Sequence, residues 1–224
     1  MRIVIAGAGL VGRGLARRLA AGKHDVTVID ADRDVCEQVY SQIGVPTIHG
    51  SATSIATLEE AELDQADCAA AAMRRDSDNL CFTVLAKHMG VSRIIVRMRD
   101  PRYERAHKLA GATRVLNIVE LYIHQFTWEI EEPAMEELVA FGESRASIVF
   151  VRVPEGSRAA GRTVAQIAQE AGFPDDCVIA AIFRPETGEF IIPRGQVAIE
   201  VADRVYLAAH ASNIRKAARY IGVK

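Results

Sequence analysis

Arg2-Ile3-Val4-Ile5-Ala6-Gly7-Ala8-Gly9-Leu10-Val11-Gly12-Arg13 is the stretch on which the fold turns. Residues 3–6 are apolar without interruption, the pattern of a strand covered on both faces. Three glycines follow at the spacing G-x-G-x-x-G, and helical spacing runs from Leu10 to Ala21. Gly7 permits the tight turn, Gly9 lets a pyrophosphate approach the backbone, and Gly12 lets helix and strand pack closely. The helix start, with Ala8, Leu10 and Val11 around it, offers free N–H groups and the positive end of a dipole. The string alone is weak; its place between a strand and a helix gives it force. Eighteen residues after Gly12, at the end of the second strand, stands Asp30. Its carboxylate can accept hydrogen bonds from both hydroxyls of an adenosine ribose and would repel a 2′-phosphate. The expected ligand is therefore NAD(H) or an adenine nucleotide (ATP, ADP or AMP), with NADP(H) disfavoured. Arg33 nearby softens that bias. Arg13 could pair with outer phosphates, or be a solvated helix arginine like Arg17 and Arg18; spacing does not separate the two.

Outward from this motif, strand patterns at 26–29, 45–49, 68–73, 93–98 and 113–116 alternate with helical patterns at 33–43, 54–62, 77–89 and 101–110. The run at 68–73 holds four consecutive alanines and by itself could be helix. The alternation predicts an α/β, doubly wound parallel-sheet Rossmann domain with right-handed crossovers. Ile118, Val119, Tyr122, Ile123, Phe126 and Ile130 then form an apolar stripe at helical spacing, beside Trp128, and Pro133 stops the helix. Such a helix needs cover, from its own chain or from a symmetric copy of itself. From residue 147 the pattern changes to strands at 147–153, 178–184, 189–192 and 204–208, with helices at 164–171 and 213–221. The expectation is a Rossmann-type domain over 1–133 and a smaller α+β domain over 134–224, joined near 133–147.

The composition narrows the classes. Of 224 residues, 27 are Lys or Arg and 29 Asp or Glu, a net charge of −2 that argues against a nucleic-acid partner. No apolar run reaches the roughly 20 residues that cross a bilayer. The strand that begins at Arg2 argues against a secretory leader. Cys36, Cys68, Cys81 and Cys177 are far apart, as are the six histidines, so neither a zinc site nor a disulfide framework is expected. A soluble, cytoplasmic protein follows.

The chain resembles the RCK (regulator of potassium conductance) proteins, the peripheral TrkA/KtrA-type subunits of potassium transport, over essentially its whole length. The resemblance is carried by Gly7 to Arg13 with Asp30, by Gly50-Ser51-Ala52, by Asp76-x-x-Asn79, by Ile95-Val96-Arg97 and by Val115-Leu116-x-x-x-Glu120. Val151-x-Val153-Pro154, Gly161-Arg162-Thr163-Val164 and Ala202-Asp203-Arg204-Val205 resemble the RCK C-terminal domain. It implies a nucleotide site that adds Ala31, Ser51, Ala52, Met73, Arg74, Asp76, Asn79 and Arg97 to the glycine turn. The family usually has an acid where Ser51 stands, which bears on contacts at the adenine. From the residues themselves, Asp76 reads first as a helix N-cap. Arg97 interrupts an apolar strand and needs a partner or a ligand. In related proteins an acid at Glu120 can help hold a cation near a dimer interface, whereas Asn117-x-x-Glu120 also reads as a helix cap. The resemblance implies a regulatory subunit on the inner face of the membrane, partnered by a potassium-transporting subunit and assembled as a homodimer that builds further into an octameric ring. The alternative is an NAD-dependent oxidoreductase, for which residues 134–224 offer only His210 and Lys216. A redox sensor built on Cys36, Cys68 or Cys81 lacks a charge pattern that would activate a thiol.

Overall fold

A computed structural model describes residues 1–141 and 146–222. The chain divides into two compact units, Met1–Ile123 and His124–Lys224. In the first, β1 (Arg2–Ala6), β2 (Asp25–Asp30), β3 (Thr47–His49), β4 (Cys68–Ala71), β5 (Ile94–Met98) and β6 (Arg114–Asn117) are joined by α1 (Leu10–Ala21), α2 (Arg33–Ile43), α3 (Ile55–Glu60), α4 (Asp76–His88) and α5 (Glu104–Leu109). All strand pairs are parallel and the order is β3-β2-β1-β4-β5-β6. That is the doubly wound arrangement, whose chain direction switches between β1 and β4 and leaves a crevice beyond their C-terminal ends.

Alternate residues of the central strands feed two cores. Ile3 and Ile5 with Cys68 and Ala70 join Ala16, Val28 and Val39 on one face. Val4 and Ala6 with Ala69 and Ala71 join Leu58, Phe82 and Ile94 on the other. The alanine run is therefore strand, fully covered between β1 and β5. Its small side chains share their core with Phe82 and Leu58, both fully buried.

His107 on α5 is fully buried, and neither ring nitrogen finds a hydrogen-bond partner. Burial pushes its pKa below the ordinary histidine value, although the nearby Asp76 acts in the opposite direction. The folded state thus favours the neutral ring, and the unfolded chain takes up the proton first as the pH falls through about 6.5. Denaturant titrations should show stability dropping below that pH. In His107→Leu that part of the drop should vanish. An unchanged pH profile in the variant would assign the acid sensitivity elsewhere.

The second unit holds β7 (Met135–Phe141), β8 (Ala146–Arg152), α7 (Val164–Ala168), β9 (Val178–Arg184), β10 (Glu189–Ile191), β11 (Arg204–His210) and α8 (Ala211–Ile221). Its antiparallel sheet runs β10-β9-β11-β8-β7. Val149, Val151, Leu207 and Val205 form its core with Ile167 of α7 and Ile214 of α8. Thr163 and Gln166 close a capping box at the start of α7. A helix α6 (Ile118–Glu131) begins in the first unit and ends in the second, where Trp128 joins the core and donates from Nε1 to the Met135 carbonyl at 3.2 Å.

Strand β7 corrects the sequence reading, which placed a joint across 133–147. Its pairing to β8 shifts register between Glu137 and Val139, and that irregularity, with Glu136 and Glu137 adjacent, hides the period-two signal. Residues 142–145 of the expected joint lie outside the described residues.

Candidate functional site

The crevice at the switch point is a cavity of about 800 Å3, walled by the ends of β1, β2, β4 and β5 and by the start of α1. Gly7 turns the chain at φ +97°, and its amide donates to the Ile29 carbonyl at 2.8 Å. A Cβ on Gly12 would lie 1.8 Å from the Gly7 carbonyl oxygen, whereas a Cβ on Gly9 would meet nothing within 4 Å. Thus Gly12 makes the helix–turn contact and Gly9 opens onto the cleft. No side chain caps α1 and its first turn carries no acid. Its leading N–H groups therefore face the cleft with the positive dipole end unopposed.

Asp30 does more than the motif implies. Its Oδ2 accepts from the Ala8 amide at 2.6 Å and its Oδ1 from the Asp32 amide at 3.0 Å, tying the glycine turn to the end of β2. Lone pairs remain for two ribose hydroxyls. Ala31, Ser51 and Ala52 share this end of the cleft with Asp32 and Thr53. Ser51 Oγ hydrogen-bonds Thr53 Oγ1 at 2.7 Å. Arg33 pairs with Glu37 at 3.2 Å and does not line the cleft.

The other end is basic. Arg13, Arg74, Arg97 and Arg99 line it with Leu10, Val11, Met73 and Asp78. Among the described residues the Arg13 side chain makes a single long hydrogen bond, 3.4 Å to Gln38 Oε1. Arg97 donates to the Ala72 carbonyl at 3.5 Å, and its buried Nε has no partner. Neither Arg74 nor Arg99 makes a side-chain ion pair among the described residues. Two aspartates, Asp30 and Asp32, are engaged by backbone amides at the β2 end of the cleft, while Asp78 pairs with Arg75 at 3.8 Å. Charges left uncompensated at the far end are thus positive, suited to a phosphate chain.

Gly12, Asp76 and Asn79 stand behind the cleft wall rather than on it. The N-cap position of α4 is Arg75, and Asp76 instead accepts from the Arg99 amide at 3.0 Å and the Asp100 amide at 2.8 Å. The N-cap reading of Asp76 fails because its carboxylate caps another segment. Arg99, Ile118 and Tyr122 line the cleft and escaped the sequence reading. Arg99 follows the end of β5 at Met98, and only its place just past that strand end puts it at the cleft. At Glu120 the cap is present, its amide donating to Asn117 Oδ1 at 3.2 Å. No cluster of three metal-ligating side chains occurs among the described residues. Burial raises the thiol pKa of Cys36 and Cys68, and pushes that of Cys177 up to about 12, so all three stay protonated at neutral pH.

Comparison with known proteins fits this geometry. Residues 3–118, more than half of the chain, match the TrkA-N domain, and residues 148–222 match the TrkA-C domain. The chain belongs to the TrkA family. This TrkA-family chain is 34% identical over 219 residues to a Trk system potassium uptake protein TrkA homolog of Archaeoglobus fulgidus, covering 96% of itself and 48% of that protein. It is 29% identical to the homolog of Methanothermobacter thermautotrophicus, covering 98% of each. It thus spans about half the length of the first relative and nearly all of the second. Among solved structures, the GsuK channel bound to NAD superposes with a TM-score of 0.66 at 22% identity, over 99% of this chain and 39% of the channel chain. That likeness is one of fold. No helix among the described residues is long and apolar enough to cross a membrane.

Proposed function

We propose that this chain is a regulatory subunit that binds an adenine nucleotide, NAD(H) or ATP, ADP or AMP, and transmits its binding state to a membrane potassium-transporting subunit. The single observation that carries the reading is the cleft itself, with an open glycine turn, a ribose-ready Asp30 and a basic far end around Arg97. In this reading Gly7, Ala8, Gly9, Leu10 and Val11 cradle the first phosphates. Ala31, Ser51 and Ala52 flank the adenosine, and Arg13, Met73, Arg74 and Arg97 meet the remainder. The names of the relatives supply the transport system, and the NAD-bound GsuK channel offers a parallel for a nucleotide on this fold.

Transmission needs a lever. The helix α6 carries Ile118 and Tyr122 on the cleft wall and continues unbroken to Trp128 in the second core. A ligand that fits one position of that helix better shifts the equilibrium by its difference in affinity, typically about 1–3 kcal/mol. The domain end expected at residue 133 enters here as the end of the lever. The exposed stripe of α6 would pair two copies, and dimers would close into an octameric ring on the cytoplasmic face of the membrane. Glu120 would hold a cation there together with ligands from a second copy. The oxidoreductase alternative gains nothing, since His210 and Lys216 are both exposed.

Calorimetric titration with NAD, NADH, ATP and ADP tests the reading. The parent should bind at least one of these tightly and turn over no hydroxyacid or aldehyde substrate. Asp30→Ala should weaken every adenosine ligand, because the ribose contact is common to all. Loss of a charged hydrogen-bond pair gives about tenfold to hundredfold. Unchanged affinities in the variant would remove Asp30 from the site.

A further inference from the structure

Asp76 and Asn79 sit one turn apart at the start of α4 and do not line the cleft, yet both are buried and their polar atoms are committed to its floor. Asn79 accepts from the Met73 amide at 3.0 Å and donates to the carbonyls of Met73 at 3.1 Å and Arg97 at 3.0 Å. Asp76 accepts from the amides of Arg99, at 3.0 and 3.2 Å, and of Asp100, at 2.8 Å. Arg97 is the last residue but one of β5 and Arg99 lies just beyond its end at Met98, and both line the cleft, so the two side chains of α4 fasten the backbone at two neighbouring cleft-lining positions.

The guanidinium groups carried there have little else to hold them. Arg97 has one long contact and an orphaned Nε, and Arg99 makes no side-chain hydrogen bond or ion pair among the described residues. Where a side chain lacks partners, its aim is set by its backbone. A carboxylate can serve two amides at once because it offers acceptor positions on both oxygens, while an amide side chain offers only one accepting oxygen. Burial lowers the pKa of His107, which interacts electrostatically with Asp76, and so favours its neutral ring beside the carboxylate.

We propose that Asp76 is a positioning residue: by fixing the backbone at residues 99 and 100 it aims Arg99, with Arg97 beside it, at the outer phosphates of the nucleotide, without touching the nucleotide itself. This rests on the nucleotide reading above and adds that affinity for the phosphate chain is set from behind the cleft wall.

The test compares AMP with ATP by calorimetry on the parent, Asp76→Asn, Arg99→Ala and the double variant. AMP rests on the glycine turn and Asp30, and ATP also reaches the arginines. Asp76→Asn should cost ATP about tenfold, the scale of one charge-assisted contact, and leave AMP within about threefold. Because it acts through Arg99, it should add almost nothing in the Arg99→Ala background. Equal losses for AMP and ATP, additive losses in the double variant, or parental ATP affinity in Asp76→Asn would each overturn the proposal. Should Asp76→Asn not fold, Arg99→Ala carries the test alone: it must lose ATP affinity selectively, and parental affinity there overturns the idea. A parent that binds no adenine nucleotide at all would instead bring down the reading on which the proposal rests, and the proposal with it.

Discussion

Gly9→Val yields a folded chain with nucleotide affinity reduced by a hundredfold or more, while Gly12→Ala damages the fold itself. The two glycines lie three residues apart in one motif and separate two physical demands. At Gly9 the backbone is ordinary extended chain (φ −63°, ψ −170°), and a new Cβ points into open space. Valine is therefore tolerated by the protein and objectionable only to a ligand. Its methyl groups would fill the approach to the leading N–H groups of α1, where each charged hydrogen bond lost costs about 1.5–3 kcal/mol. Two such losses exceed a factor of about a hundred. At Gly12 the added carbon would stand 1.8 Å from the Gly7 carbonyl oxygen, backbone against backbone, so the helix must move off the turn. Overpacking of this kind costs about 1–3 kcal/mol or more, read as a lowered melting temperature. Normal nucleotide binding by Gly9→Val would mean that no phosphate lies on the turn. A parental melting temperature for Gly12→Ala would deny the close packing that the motif is held to need.

The contrast shows which parts of the molecule were legible in the sequence. The first unit reads well because strands buried on both faces cannot alternate, and residues 3–6 announce this without ambiguity. The alanines of β4 could be placed only by their neighbours, since four small apolar residues fit a helix as well as a strand. Strand β7 was invisible because a register shift cancels the period on which strand recognition depends. At the site, the position of Asp30 in the cleft was readable from its distance to the glycines. Its second bond, to the Ala8 amide 22 positions back, depends on β1 and β2 lying side by side. Asp76 was misread for a related reason. A helix-start aspartate ordinarily caps its own helix, and only the parallel placement of β4 and β5 brings the Arg99 and Asp100 amides within its reach. Local rules found the residues, and long-range pairing decided what they hold.

The same separation of local and assembled structure governs α6. Its stripe is not core within one chain: Tyr122 is 62% exposed, Phe126 69% and Ile130 77%. Trp128, on the opposite side of the turn, is buried in the second unit. Monomers rarely leave so large a contiguous apolar surface in water, and a helix with one apolar edge anchored and the other bare is suited to meet its own symmetric copy. Replacing Phe126 and Ile130 together by Asp should therefore cost the single chain little, since both positions already face solvent. In a dimer it would place four charges in one contact, two from each copy, without partners, and unpaired buried charges cost several kcal/mol each. Light scattering should show monomer where the parent shows dimer or larger, with the melting transition of the second unit retained. Trp128→Asp is the complementary case: it removes the Nε1 bond to the Met135 carbonyl and puts a charge into the core, so it should unfold that unit whatever the assembly. If the Phe126/Ile130 variant remained dimeric and folded, copies would be joined by some other surface. The lever proposed to run from the candidate cleft would then lose the fixed partner it has to push against.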